Sequence, residues 1–185
     1  MTGIIQSDVS IGNLMMNEEE DNSSWHSFLI DLDLAIKENR ESPSGAPSKT
    51  GTRAFIAIGA LYGEEHSFMH DLESFFWVFF WICIHYNGPH RESRVVPKFE
   101  KWNYKETEEL AKLKTGTVAN EGDFIKTVEE NFMPYYQPLI PWINRLRKVV
   151  FLGDGRWKKE DKRLYSQMKT VLEKAKEDPQ VLMKL

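Results

Sequence analysis

His70-Asp71-Leu72-Glu73-Ser74-Phe75-Phe76-Trp77-Val78-Phe79-Phe80-Trp81-Ile82-Cys83-Ile84 is the stretch on which the fold turns. From Phe75 to Ile84 every residue is apolar, counting Cys83 as a small buried hydrophobe, so no face is left for water. A helix apolar on every side belongs at the centre of a domain. Ten residues of helix rise only about 15 Å, half of a bilayer core of roughly 30 Å, so the run is too short to span a membrane. His70 and Asp71 stand at its expected start, where an acidic side chain meets unpaired amides and the positive end of the helix dipole.

Upstream, Ile4-Ile5, Leu14-Met15-Met16 and Phe28-Leu29-Ile30 are brief apolar segments separated by polar turns, and they read as short strands. Residues 17–24 are acidic and polar, a solvated hairpin connection. Residues 38–53 hold Pro43, Gly45, Pro47 and Gly51 among serines, which predicts a long loop of functional interest. Downstream, helices are predicted over 102–113, with a charged surface, and over 124–132 and 143–151, with Pro134, Pro138 and Pro141 breaking the chain between the last two. After Gly153-Asp154-Gly155 a last amphipathic helix is expected from about Lys159 to Glu177. The order of strands first and helices afterwards gives a mostly helical fold.

The chain has 185 residues, enough for one domain with a proper core. With 24 basic against 28 acidic residues its net charge is −4, and no basic surplus points to nucleic acid. The single cysteine, Cys83, excludes an internal disulfide and a cysteine-built zinc cluster. Residues 1–13 lack the basic start and apolar run of a secretory signal, so the expected compartment is cytoplasm or nucleus, with no membrane partner.

Chemistry-bearing residues gather near the start of the chain: Asp8, Asn13, Asp31, Asp33 and, further on, Asp71. A hairpin pairing Leu14–Met16 with the strand before Asp31 would bring Asn13 and Asp31 to one end, as oxygen donors for a hard cation. Asp8 would stand nearby as an acceptor for a hydroxyl proton. Each of these residue types is also an ordinary turn former, and Asp33 reads as one. Asp31-Leu32-Asp33 taken alone could suggest a sugar-nucleotide metal motif, but nothing else in the chain supports that reading. His66 and His70 have the spacing of paired metal ligands; without a third ligand they read as capping or solvent-facing residues. The mixed charges of 158–163 read as a solvated helix face.

Asp8-Val9-Ser10-Ile11-Gly12-Asn13, followed by a hairpin and Leu29-Ile30-Asp31-Leu32-Asp33-Leu34-Ala35, resembles the catalytic segment of protein kinases. Gly51-Thr52-Arg53-Ala54-Phe55-Ile56-Ala57-Ile58-Gly59 is similar to the end of a kinase activation segment. His70-Asp71-Leu72-Glu73-Ser74 is similar to the start of the long buried helix of the kinase C-terminal lobe. The variants Asp-Leu-Asp-Leu-Ala, Gly-Thr-Arg-Ala-Phe and His-Asp-Leu-Glu-Ser-Phe resemble the fungal-type protein kinase family, with likeness from Gly3 to about Phe151. The resemblance implies a partial kinase domain, C-terminal lobe, over 1–152, with a helical extension over 153–185.

By that resemblance Asp8 orients or deprotonates a substrate hydroxyl, and Asn13 and Asp31 hold magnesium and through it ATP. Thr52 hydrogen-bonds near Asp8, as in kinases acting on serine or threonine of a protein substrate. Asp71 braces the catalytic segment from below. The activation loop falls in residues 38–50, with Ser42, Ser44, Ser48 and Thr50 as candidate phosphate acceptors. Three departures stand out: Gln6-Ser7 replaces the usual His-Arg, Ser10 replaces a lysine, and Gly59 takes the place of the glutamate whose ion pair with a late arginine anchors the segment. Seven residues precede Asp8, with no glycine-rich loop or ATP-pairing lysine among them. The chain by itself is therefore expected to transfer phosphate poorly, the alternative being a non-catalytic remnant that serves as a protein-interaction module. A lobe standing alone leaves an apolar face uncovered, which predicts self-association. Light scattering at high concentration should show oligomers, and a monodisperse monomer would contradict the expectation.

Overall fold

The computed structural model describes residues 3–17, 27–37, 51–89, 91, 94–152 and 160–183. In chain order the elements are strands β1 (Ile4–Ile5), β2 (Leu14–Met16), β3 (Ser27–Leu29) and β4 (Ile36–Lys37), then eight helices. The helices are α1 (Ile58–Leu61), α2 (Phe68–His85), α3 (Pro97–Glu100), α4 (Thr107–Ala119), α5 (Glu121–Asn131), α6 (Ile140–Val150), α7 (Leu164–Lys176) and α8 (Pro179–Leu182). The fold is mostly helical, as the sequence predicts. Among the described residues it carries two small antiparallel sheets, the expected pairing of Leu14–Met16 with the strand before Asp31 and a second one. Leu14, Met15 and Met16 face Leu29, Phe28 and Ser27, while Ile4 and Ile5 pair with Lys37 and Ile36, a strand too short to announce itself in sequence.

Helix α2 is the axis of the core, and Phe76, Trp77, Phe80, Cys83 and Ile84 on it are essentially sealed from solvent. It begins two residues before His70, because Ser67 caps it: the Ser67 N–H donates to His70 Nδ1 at 3.1 Å. Edge-to-face aromatic contacts radiate from the axis, Phe80 to Phe99 at 5.4 Å, Trp77 to Trp102 at 5.4 Å and Phe76 to Phe151 at 5.0 Å between ring centroids. Phe124 and Phe132, at the two ends of α5, close the same cluster.

Several predicted boundaries move, each for a local reason. Trp102 does not open a surface helix; it is buried in a short 3-10 turn, and α4 starts at Thr107 after an extended Glu106. One side of α4 is core, through Leu110, Ala111 and Val118. Helix α5 starts at Glu121, where the Asn120 side chain accepts from Asp123 N–H at 3.0 Å. Pro141 does not break the chain but occupies the first turn of α6, where its missing N–H has no partner to lose. Helix α7 starts at Leu164, and the predicted residues 153–159 lie outside the described ones. Leu164 and Met168 of α7 enter the same core as α2 and α6.

Fully burying a phenylalanine side chain contributes about 1.5–3 kcal/mol, and truncating one in a packed core adds the cavity left behind. Phe80→Ala should therefore lower unfolding free energy by about 3–5 kcal/mol in a urea melt. Tyr104→Ala, at a side chain 80% exposed, should change it by less than about 0.5 kcal/mol. Equal effects would place α2 away from the core.

Candidate active site

The site is built where the segment around Asp8 meets the start of α2. Asp71, in the first turn of α2, does not spend its carboxylate on its own helix as the sequence suggests. Its Oδ2 accepts from Gln6 N–H at 2.7 Å and its Oδ1 from Ser7 N–H at 3.0 Å. His66 Nε2 stands 3.0 Å from the same Oδ1. The bracing contact implied by the resemblance is thus present, and it ties together residues 65 positions apart.

Gln6, buried to 4% exposure, is the hub that sequence reading passes over as a mere departure. Its Nε2 donates to the carbonyls of Ile30 (3.1 Å) and Asp31 (2.9 Å), and its Oε1 accepts from Asp8 N–H at 2.8 Å. One amide side chain thereby fixes the backbone on both sides of the cluster. Among the described residues, Ser7 and Asp31, which flank these bonds, are the non-glycine residues with left-handed backbone, at φ 65° and 58°. Strained conformations of this kind persist only where surrounding bonds over-determine them, and they concentrate at functional sites.

Around Asp8 the side chains converge. Thr52 N–H donates to Asp8 Oδ1 at 2.8 Å, and Thr52 Oγ1 lies 3.3 Å from the same oxygen. Asn13 Nδ2 donates to the Asp8 carbonyl at 2.9 Å and lies 3.4 Å from Asp8 Oδ2. Gly51 makes this approach feasible: its φ is 114°, and a Cβ there would stand 3.2 Å from Ser7 O and 3.3 Å from Asp8 Oδ1. Asp31 joins through the backbone, since Ile30 N–H donates to Asn13 O at 2.9 Å. Asp33 behaves as the expected turn residue, its N–H 3.4 Å from Asp31 Oδ1. Ser42, Ser44, Ser48 and Thr50 lie outside the described residues.

Asn13 and Asp31 are the residues that could hold a cation. Asn13 turns its amide nitrogen to Asp8, and Asp31 is exposed. Among the described residues no three of His, Cys, Asp and Glu converge as a metal-binding group. A cation here would rest on one carboxylate and one amide oxygen, with water or phosphate completing its shell, the habit of magnesium rather than zinc.

Residues 1–83 match the fungal protein kinase family. The match includes Asp8, Asn13, Asp31, Thr52 and Asp71, and it stops inside α2, short of the reach to Phe151 read from the sequence. No curated protein matches the chain.

Within the matched segment, Gly59 has a local explanation. A Cβ on it would overlap Glu64 Oε2 and His70 Nε2, so any side chain there would have to displace both. The segment is anchored by residues that the sequence reading missed. Glu73 Oε1 accepts from Ile58 N–H at 2.7 Å and from Trp77 Nε1–H at 2.9 Å. Lys114 Nζ donates to the carbonyls of Ala54 (2.9 Å) and Ile56 (2.6 Å) and sits 4.5 Å from the Trp77 ring centre. Burial pushes the Glu73 carboxyl up, against its hydrogen bonds to Ile58 and Trp77 and the Lys114 charge. Burial pulls the Lys114 ammonium down, against the Glu73 charge. Lys114 falls one residue past the surface helix predicted over 102–113, and nothing in the sequence marks it as pointing inward.

His70 has two descriptions that pull apart. Its Nε2 faces Glu64 Oε2 at 3.5 Å, an ion pair only if the ring is protonated, yet burial and the neighbouring His66 pull its pKa down to about 4. The ring is neutral at pH 7: Nδ1 accepts from Ser67 N–H, which leaves the proton on Nε2 toward Glu64. Between its ordinary 6.5 and about 4 the unfolded chain binds more protons than the folded one, so stability rises with pH across that window. This contribution is complete above pH 6.5 and is lost as pH falls toward about 4. The total is on the order of 3 kcal/mol. Urea melts at pH 7 and 4.5 should show His70→Gln losing less stability on acidification than the native chain. Equal losses would mean that His70 is protonated in the fold.

Proposed function

We propose that this chain carries the substrate-side machinery of a protein kinase, transferring the terminal phosphate of ATP to serine or threonine of a protein. The single observation that carries the reading is the convergence of Thr52 and Asn13 on Asp8, beneath a backbone held by Asp71. The family match supports kinase-like function at the level of the family. Phosphoryl transfer asks a protein mainly for positioning and for charge in the right places.

Asp8 is the group that accepts the hydroxyl proton. Asn13 and the Thr52 N–H fix its carboxylate, so that little reorganisation is needed when the hydroxyl approaches. Thr52, on the rim beside it, sets the distance between Asp8 and the incoming residue and favours a short aliphatic hydroxyl over a phenol. Asn13 and Asp31 would hold magnesium, which supplies positive charge to the phosphates when bound. Gln6 keeps the backbone of Asp31 and that of Asp8 in one rigid unit.

A second reading rests on a different observation. Met16 (79% exposed), Leu32 (55%), Ile4 (51%) and Phe28 (46%) line the strand region with uncovered apolar surface. Such a surface suits a protein-interaction module. The two readings part on nucleotide binding. Titration of ATP into the chain by calorimetry should give binding that requires magnesium and is abolished by Asp31→Asn. Radiolabelled transfer to a serine- or threonine-rich protein should fall at least a hundredfold in Asp8→Asn, whose fold and ATP affinity should be kept. Absence of magnesium-dependent ATP binding would contradict the kinase reading and favour the interaction module.

A further inference from the structure

Two ionisable side chains are buried in the centre of the molecule, outside the Asp8 cluster, and both spend themselves on one short piece of backbone. Glu73 is 3% exposed and Lys114 fully buried. Glu73 takes the N–H of Ile58; Lys114 takes the carbonyls of Ala54 and Ile56. Trp77 lies between them, giving its N–H to Glu73 and its ring face to the Lys114 ammonium. Residues 54–58 form no regular ladder of their own beyond the 3-10 turn at Arg53–Phe55 and the first residue of α1. Their free amide and carbonyls would be stranded in an apolar core without these partners.

The piece of backbone so held begins two residues after Thr52. Phe55 N–H donates to Thr52 O at 2.8 Å, so the turn carries the clamped residues directly to the Thr52–Asp8 contact. Arg53, between them, is tied to the start of the same helix as Lys114: its Nε donates to Lys105 O at 2.7 Å and its Nη2 lies 3.3 Å from Thr107 Oγ1. Helices α2 and α4 therefore grip 53–58 from two sides, and the exposed Thr52 leads directly into the gripped segment.

We infer that Glu73, Trp77 and Lys114 are positioning residues that set Thr52 against Asp8, taking over the anchoring that an ion pair at Gly59 cannot supply. None of the three touches the reacting atoms. A buried charge arrangement is weak as a source of net stability, since desolvation offsets attraction, but it is directional where apolar packing is not. For the catalytic consequence the inference rests on the kinase reading of Asp8 and Thr52; the geometric part does not.

Amide hydrogen exchange in the full chain, resolved by NMR, separates the two. Lys114→Met keeps the length and apolar stem and deletes both donors. It should speed exchange at Thr52 and Ile58 at least tenfold while leaving Val128 of α5 and Leu146 of α6 at native rates. Glu73→Gln retains the acceptor oxygen and should stay within about threefold of native at Thr52. Trp77→Phe keeps the aromatic bulk and removes the N–H to Glu73, and it should fall in between; it serves where Lys114→Met does not fold. Unchanged exchange at Thr52 in Lys114→Met, or in Trp77→Phe where that variant stands in, would overturn the inference. So would acceleration spread evenly over α5 and α6, which marks a merely structural role. If the native chain transfers phosphate, Lys114→Met should lower kcat at least tenfold with the KM for ATP within about twofold. A native chain without transfer counts against the kinase reading alone and leaves the exchange result to decide the clamp.

Discussion

The carboxylate of Asp71 is the constraint on which the rest depends. It projects from the helix that carries the aromatic core and accepts the amide protons of Gln6 and Ser7. Backbone amides are obligatory donors, and an ionised acceptor makes the bond roughly twice as strong as a neutral pair. The order of the aromatic core is thereby passed to a segment that has little regular structure of its own. Gln6 then distributes that order to Asp8 on one side and to Ile30 and Asp31 on the other. Without the first contact, the left-handed backbone of Ser7 would lose the bond that holds its N–H, and the Gln6 bonds to Ile30 and Asp31 would lose their anchor.

The molecule thus separates stability from chemistry. Stability resides in α2 and the rings around it, Phe99, Trp102, Phe124 and Phe151. The polar cluster proposed to carry the chemistry lies in short strands and turns that contribute little burial. Such segments need polar anchors, because hydrophobic contact fixes proximity and not direction. Three anchors are present, Asp71 below the Asp8 segment, Gln6 between that segment and Asp31, and the Glu73–Trp77–Lys114 arrangement behind Thr52. Each draws on α2 or on a backbone that α2 already holds.

Much of this was legible in sequence. Phe75 to Ile84 could only be a buried helix, and the spacing of Asp8 and Asn13, with a hairpin before Asp31, placed the polar cluster at one edge of the fold. The pairing of Leu14–Met16 with the strand before Asp31 follows from that reading, while its register, Leu14 opposite Leu29, comes from the structure. What could not be read has a common physical cause. Lys114 sits among Lys112, Glu108 and Glu109, and its inward direction depends on where Trp77 and residues 54–56 come to rest. Gln6 looked like a loss relative to a histidine, because its two donors and one acceptor acquire meaning only when Ile30, Asp31 and Asp8 are adjacent. The β1–β4 pair rests on two residues per strand, below the length at which alternation is visible. Pro141 misled by type: proline breaks a helix interior but opens a first turn.

Native-state hydrogen exchange at Gln6 and Ser7 tests the central contact most directly. Both residues sit outside helices, next to a two-residue strand, where exposed loop amides would exchange at nearly the free-peptide rate. Held by Asp71, they should be protected to a degree approaching the amides of α2, and Asp71→Ala should erase that protection while the core of α5 and α6 keeps its own. Free-peptide rates at Gln6 and Ser7 in the native chain would contradict the account, since the Asp8 segment would then be tethered by nothing that the buried helix provides.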